Sequence, residues 1–266
     1  NGNQALYSNT NGNDNIANGI NALFSNTTGY DNIATGYQAL FLNTSGYNNI
    51  ANGYRSLYNN TIGTNNIALG SYALNANTTG INNIAVGPGA LFSNTGSNNN
   101  IGLGFQALNS NFGSDNIALG NYAMNYNTTG YNNIALGPGS LFSNTGGINN
   151  IGLGYQALNL NYGNDNIAMG KYALNANTTG INNIALGNST LFKNITGNDN
   201  ISLGYQSLFK NTTGHNNIAI GTYSLYNNIT GTGYIANGYS AMFLNTTGYN
   251  NIANGYGAMF FNTTGY

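Results

Sequence analysis

Charge is almost missing from this chain of 266 residues: Asp, Glu, Lys and Arg together make up 3% of it. The cations are Arg55, Lys171, Lys193 and Lys210, the acids are Asp14, Asp31, Asp115, Asp165 and Asp199, and Glu does not occur. An ordinary domain is about one quarter charged, so solubility here falls to amides and hydroxyls. A formal net charge of −1 leaves no basic footprint for nucleic acid or an anionic membrane surface. Cysteine is absent as well, which excludes a disulfide framework and thiolate metal sites and leaves the redox compartment open. No apolar run approaches the roughly 18 residues of a membrane-spanning helix. The chain starts at Asn1 and stops at Tyr266 in the middle of a repeat, and it is expected to be a piece of a longer array.

What is present is repetition. Ile recurs at 16, 33, 50, 67, 84, 101, 117, 134, 151, 167, 184, 201, 218, 235 and 252. The step is 17 residues, shortened to 16 after Ile101 and after Ile151. With that Ile as position zero, the unit reads I-A-x-G-Y-x-A-L-F-x-N-T-T-G-Y-N-N. Position three is Gly from Gly19 to Gly255, position seven is Leu or Met, and position ten is Asn from Asn26 to Asn262. Positions one and six are always small. A position that stays Ile while its neighbours vary is expected to point inward, because packing restricts size. The Gly beside it is expected to mark a bend or a close backbone approach. A three-unit block of 50 residues also repeats over about 67–217, as a duplication would leave it: NIALGSYALN at 66–75 returns as NIALGNYAMN at 116–125.

A unit this short cannot hold a helix pair, and its Gly and Asn disfavour helix. The expected fold is all-β: a single array over 1–266, forming a parallel β-solenoid or β-roll with one 17-residue repeat per coil and about 15–16 coils. I-A-x is expected as one short strand, x-A-L-F as a second, and N-T-T-G-Y-N as the returning turn. Stacking turns each column into a ladder, in which Asn can pair amide to amide while like charges would repel. Little apolar surface is available per coil, and Tyr or Phe is frequent at positions four, eight and fourteen, so self-association is expected. Position two locates it. Asn18, Thr35 and Asn52 give way to Leu69, Val86, Leu103, Leu119, Leu136, Leu153, Met169, Leu186, Leu203 and Ile220, and then to Asn237 and Asn254. The apolar members are the expected subunit interface.

Asn133, Ile134, Ala135, Leu136 and Gly137 read N-I-A-L-G, which resembles the S-V-A-I-G signature in the head repeats of trimeric autotransporter adhesins, the YadA-like heads. Comparable arrays occur in bacterial surface and phage tail-fibre-like proteins. The resemblance implies a left-handed parallel β-roll, a homotrimer and an extracellular adhesive role. The present coils are longer than that family's and carry an additional N-T-T-G segment.

Candidates for chemistry are few. His215 is the single His, and it has no second His, Cys or Glu with which to bind metal or catalyse. The Asp residues replace a loop Asn and suit turns. Gly87–Gly89, Gly102–Gly104 and Gly137–Gly139 read G-x-G outside any βαβ context. N-x-S/T sequons at Asn26, Asn43, Asn77, Asn127, Asn177, Asn194, Asn211, Asn228, Asn245 and Asn262 are candidate glycosylation sites on a surface turn. Neither enzyme activity nor a cofactor is expected. The expected role is an extracellular shaft or filament for display, adhesion or surface assembly, with self-association and a host-surface or glycan receptor as partners. Ice binding through the Thr columns and carbohydrate binding are the alternatives.

Overall fold

The computed structural model describes residues 1–265, and Tyr266 lies outside them. No helix occurs among the described residues; the chain is a parallel β-solenoid with the 17-residue spacing of its sequence repeat. It consists of two units, Asn1–Asn132 and Asn133–Tyr266, both built from the same coil. In the first, parallel strands run from Ile16–Asn18 through Ile33–Thr35, Ile50–Asn52, Ile67–Leu69, Ile84–Val86 and Ile101–Leu103 to Ile117–Leu119. Each pairs with the next in register, Ile against Ile. The second repeats this from Ile134–Leu136 to Ile252–Asn254.

The inward and outward faces of this strand are the reverse of the sequence expectation. In Ile33–Thr35 and its equivalents, the middle Ala is buried and the Ile is exposed or only half-buried. A strand alternates its faces, so Ile and the position-two residue both look outward. The interior at position one is too thin for a large side chain. At Gly102, which takes the place of that Ala, an added Cβ would already lie 3.1 Å from the Ala107 carbonyl and 3.4 Å from Leu91 Cγ. Position seven supplies the large inward side chains, since Leu40, Leu74 and Met124 are fully buried.

The expected second strand is instead a run of turns. Positions five and seven lie in the left-handed region, as at Gln38 (φ 55°) and Leu40 (φ 52°). Leu is uncommon there, because its Cβ crowds the following carbonyl. The backbone hydrogen bonds compensate. Gln38 N–H donates back to Ile20 O at 3.0 Å, and Leu40 N–H donates forward to Ser56 O at 3.0 Å. Thus the turns join neighbouring coils as a strand ladder would. Gly36 closes the corner at φ 127°, where a Cβ would meet the Gly53 carbonyl oxygen at 2.6 Å, so Gly is required.

Two inward ladders of Asn fill the space that Leu and Ala leave. In the first, Asn43 Nδ2 donates to Asn26 Oδ1 in the neighbouring coil at 2.8 Å and to Gly46 O in its own coil at 3.0 Å. In the second, the Asn49 amide Nδ2 donates to Asn32 Oδ1 at 3.1 Å and to Gly63 O at 2.8 Å, and Asn49 N–H also donates to Asn32 Oδ1. Both ladders meet at the Gly carbonyls: Gly46 O accepts from Asn32 and Asn43. Both N–H groups of these buried amides therefore have acceptors, which is the condition for a polar interior to stabilise a fold.

The 16-residue coils keep this network. Asn111 Nδ2 still donates to Gly113 O at 2.7 Å and Asn127 Nδ2 to Asn111 Oδ1 at 2.7 Å, so the missing residue is taken from the outer turn. Tyr234 is different. It stands where other coils have Asn, is fully buried, and donates its hydroxyl to Thr247 O at 2.9 Å. Beside it, Asn228 Oδ1 and Asn245 Nδ2, which would be partners in the ladder, are both left unpaired.

Candidate binding surfaces

The outward sheet face carries the position-two column. Leu119 is 45% exposed, Met169 48% and Leu136 36%; Leu69, Val86 and Ile220 are also exposed, and Leu103, Leu153, Leu186 and Leu203 are half-buried. Beside each stands the outward Ile of the same strand. Within each unit the two columns form an apolar stripe, bounded by Asn18, Thr35 and Asn52 in the first and by Asn237 and Asn254 in the second. Contiguous apolar surface of this kind marks interaction sites.

The sequon residues lie inside the coil rather than on a surface turn. Asn26, Asn43, Asn77, Asn127, Asn177, Asn194, Asn211, Asn228 and Asn245 have no exposed surface, and Asn262 is half-buried. Their Nδ2 atoms donate into the ladders, as at Asn77 to Asn60, Asn194 to Asn177 and Asn211 to Asn194, or face the Tyr234 defect, as at Asn245. The folded coil has no room for a glycan on these atoms. N-x-T arises here because a buried Asn is followed by turn Thr residues.

The second surface is formed by positions four, five and eight. Phe24, Phe41 and Tyr58 stack at 5.1–5.2 Å in the first unit, and Phe192, Phe209, Tyr226, Phe243 and Phe260 stack at 5.2 Å in the second. Cations lie along this face: Arg55 sits 5.4 Å from Tyr54 and 5.2 Å from Tyr58, and Lys171 lies 5.1 Å from Tyr172. The phenol of Tyr72 is held above its ordinary pKa, chiefly by the Tyr54 hydroxyl beside it and then by desolvation.

In the first unit Asn75 and Asn109 interrupt the ring stack, and a cleft of about 610 Å3 opens, lined by Ser71, Tyr72, Pro88, Gly89, Phe92, Phe105, Gln106 and Asn109. No signal from the repeat consensus marks this cleft. Its signature is a local departure, Pro88-Gly89, where the neighbouring coils carry Ser71-Tyr72 and Phe105-Gln106.

The remaining candidates stay apart. His215 is exposed, with Nδ1 3.3 Å from Thr213 O, and no cluster of metal-ligating residues occurs among the described residues. All five Asp residues occupy left-handed turn positions, Asp31 at φ 53° and Asp115 at φ 59° among them. Thr27 and Thr44 use their hydroxyls to donate to the Thr44 and Thr61 carbonyls at 2.9 and 3.0 Å. No helix is long and apolar enough to cross a membrane among the described residues. No family model matches the chain, and no curated protein matches it.

Proposed function

We propose that this chain is an extracellular structural repeat protein, a shaft or filament segment used for display, adhesion or surface assembly. The observation that carries this reading is the coil itself. Its inside is a paired amide and Leu/Ala interior, and its outside offers repeated shallow surfaces along which weak contacts can add. The N-I-A-L-G likeness at Asn133–Gly137 to trimeric autotransporter heads favours the same role.

Self-association, as a homotrimer or filament, uses the stripe of outward Ile and position-two residues. Burial of exposed apolar side chains contributes about 1.5–3 kcal/mol each when complete, and the stripe offers two per coil. This reading is favoured over an ice-binding face because the Thr27 and Thr44 hydroxyls already donate to carbonyls. Gold-labelled antibody on intact source cells, viewed by electron microscopy, tests the role. Label on fibres or surface projections is expected, and label found only after the cells are broken open contradicts it.

A further inference from the structure

We propose that the Pro88-Gly89 cleft is a subsite for a neutral saccharide, a pyranose with equatorial hydroxyls. The cleft is a notch one coil wide. Its floor is Pro88, Gly89 and the Phe92 ring, and its walls are Tyr72 on one side and Phe105 with Gln106 on the other. The walls belong to coils two steps apart, roughly 9.6 Å at the usual strand spacing. That admits a flat ring but excludes a peptide helix about 10–12 Å across.

The lining chemistry selects the ligand. It contains three aromatic rings and no charged side chain, so neither an anion nor a cation finds an ion-pair partner there. A pyranose with equatorial hydroxyls presents apolar C–H faces to the rings and hydroxyls at its rim. The Gln106 amide meets that rim: its backbone is engaged with Pro88 O and Asn125 Nδ2, while its side chain makes no hydrogen bond among the described residues. Asn109 Nδ2 is held by Gly89 O at 3.0 Å, which fixes the rotamer of the second amide. Small-molecule sites combine an apolar lining with a few oriented polar groups in this way, and a volume of about 610 Å3 falls in their roughly 300–1,000 Å3 range.

Gly89 is the residue that opens the notch. It has φ 68°, the left-handed conformation in which other coils hold Gln38, Gln106 and Gln156. The second unit repeats the Pro-Gly pair 50 residues on, as Pro138-Gly139 against Pro88-Gly89. A Cβ on Gly89 or on Gly139 would lie 3.3 Å from the Cγ of Gln106 or of Gln156, respectively. Asn159 Nδ2 likewise donates to Gly139 O, at 3.1 Å. The block duplication has therefore preserved the departure from consensus together with the coil that faces it.

The test uses the full chain with cellohexaose and chitohexaose as probes, followed by saturation-transfer NMR and Tyr fluorescence. At least one probe is expected to bind, with a Kd of about 1 mM or tighter. The double variant Gly89→Gln, Gly139→Gln refills the notch and its counterpart position with the residue that the following coils carry as Gln106 and Gln156, and it is expected to abolish binding while leaving the circular dichroism unchanged. Gln106→Leu with Gln156→Leu, a residue this fold holds in the same backbone conformation, is expected to weaken binding roughly tenfold. Binding by neither probe, or undiminished binding by the refilled variant, overturns the proposal. The notch lies within one chain, so the result does not depend on whether the chains self-associate.

Discussion

Asn43 shows what a single residue contributes to this coil. It donates to Asn26 and Gly46 and accepts from Asn60 at 2.8 Å, all inside. Asn43→Ala removes these bonds and leaves one N–H of the Asn60 amide and the Asn26 side-chain carbonyl buried without partners, each costing about 1–3 kcal/mol. A loss of about 3–5 kcal/mol is expected in chemical denaturation. The exposed Thr28→Ala should change stability by less than about 0.5 kcal/mol. Tyr234 is the converse case, since it breaks the network it stands in. Burial pushes its phenol above the ordinary value, with the amides of Asn245 and Asn251 opposing. A raised folded pKa means that its contribution is present below about pH 10, the unfolded value, and is lost as pH rises through the folded one. Tyr234→Asn is therefore expected to raise the melting temperature at pH 7 and to remove part of the stability loss above pH 10. Melting curves from pH 7 to 11 measure both.

At the scale of one coil, the sequence shows its register clearly and its orientation poorly. Period, corner Gly and inward Leu are legible because each has a single geometric solution: Gly36 cannot take a Cβ, and Leu40 has only the interior in which to pack. Ile33 misleads because invariance marks tight neighbours without saying on which side of the strand they lie. Ala34, small in every unit, is the better marker of a thin interior. The turn run at Gln38–Leu40 is hidden because its left-handed residues are not Gly or Asn. The sequons mislead for a related reason: N-x-T is read as a surface motif, whereas Asn43 faces inward and only Thr44 and Ser45 form the outer turn. The cleft escapes notice because the repeat directs attention to what recurs, and Pro88-Gly89 is an exception to it. Coil structure also predicts which changes are tolerated. Deleting Ser45 mimics the natural 16-residue coils and is expected to shift the melting temperature only slightly. Gly36→Ala, which brings a Cβ against the Gly53 carbonyl, is expected to prevent folding or to lower the melting temperature by more than about 10 °C.

At the scale of the whole molecule, the sequence organises the chain by columns rather than by sites. Inward columns hold each coil to the next, and outward columns decide what the chain meets. The flanking coils show how the outward stripe can be made polar without disturbing the coil, since Asn18, Asn52, Asn237 and Asn254 occupy position two in otherwise ordinary strands. The most direct test of the account is sedimentation equilibrium of the wild-type chain beside a variant with Leu136, Leu153, Leu186 and Leu203 all changed to Asn. The wild type is expected to sediment as a trimer or larger, and the variant as a folded monomer with unchanged circular dichroism. A wild type that stays monomeric at about 100 μM, far above the Kd of a stable assembly, or a variant that assembles equally well, contradicts it.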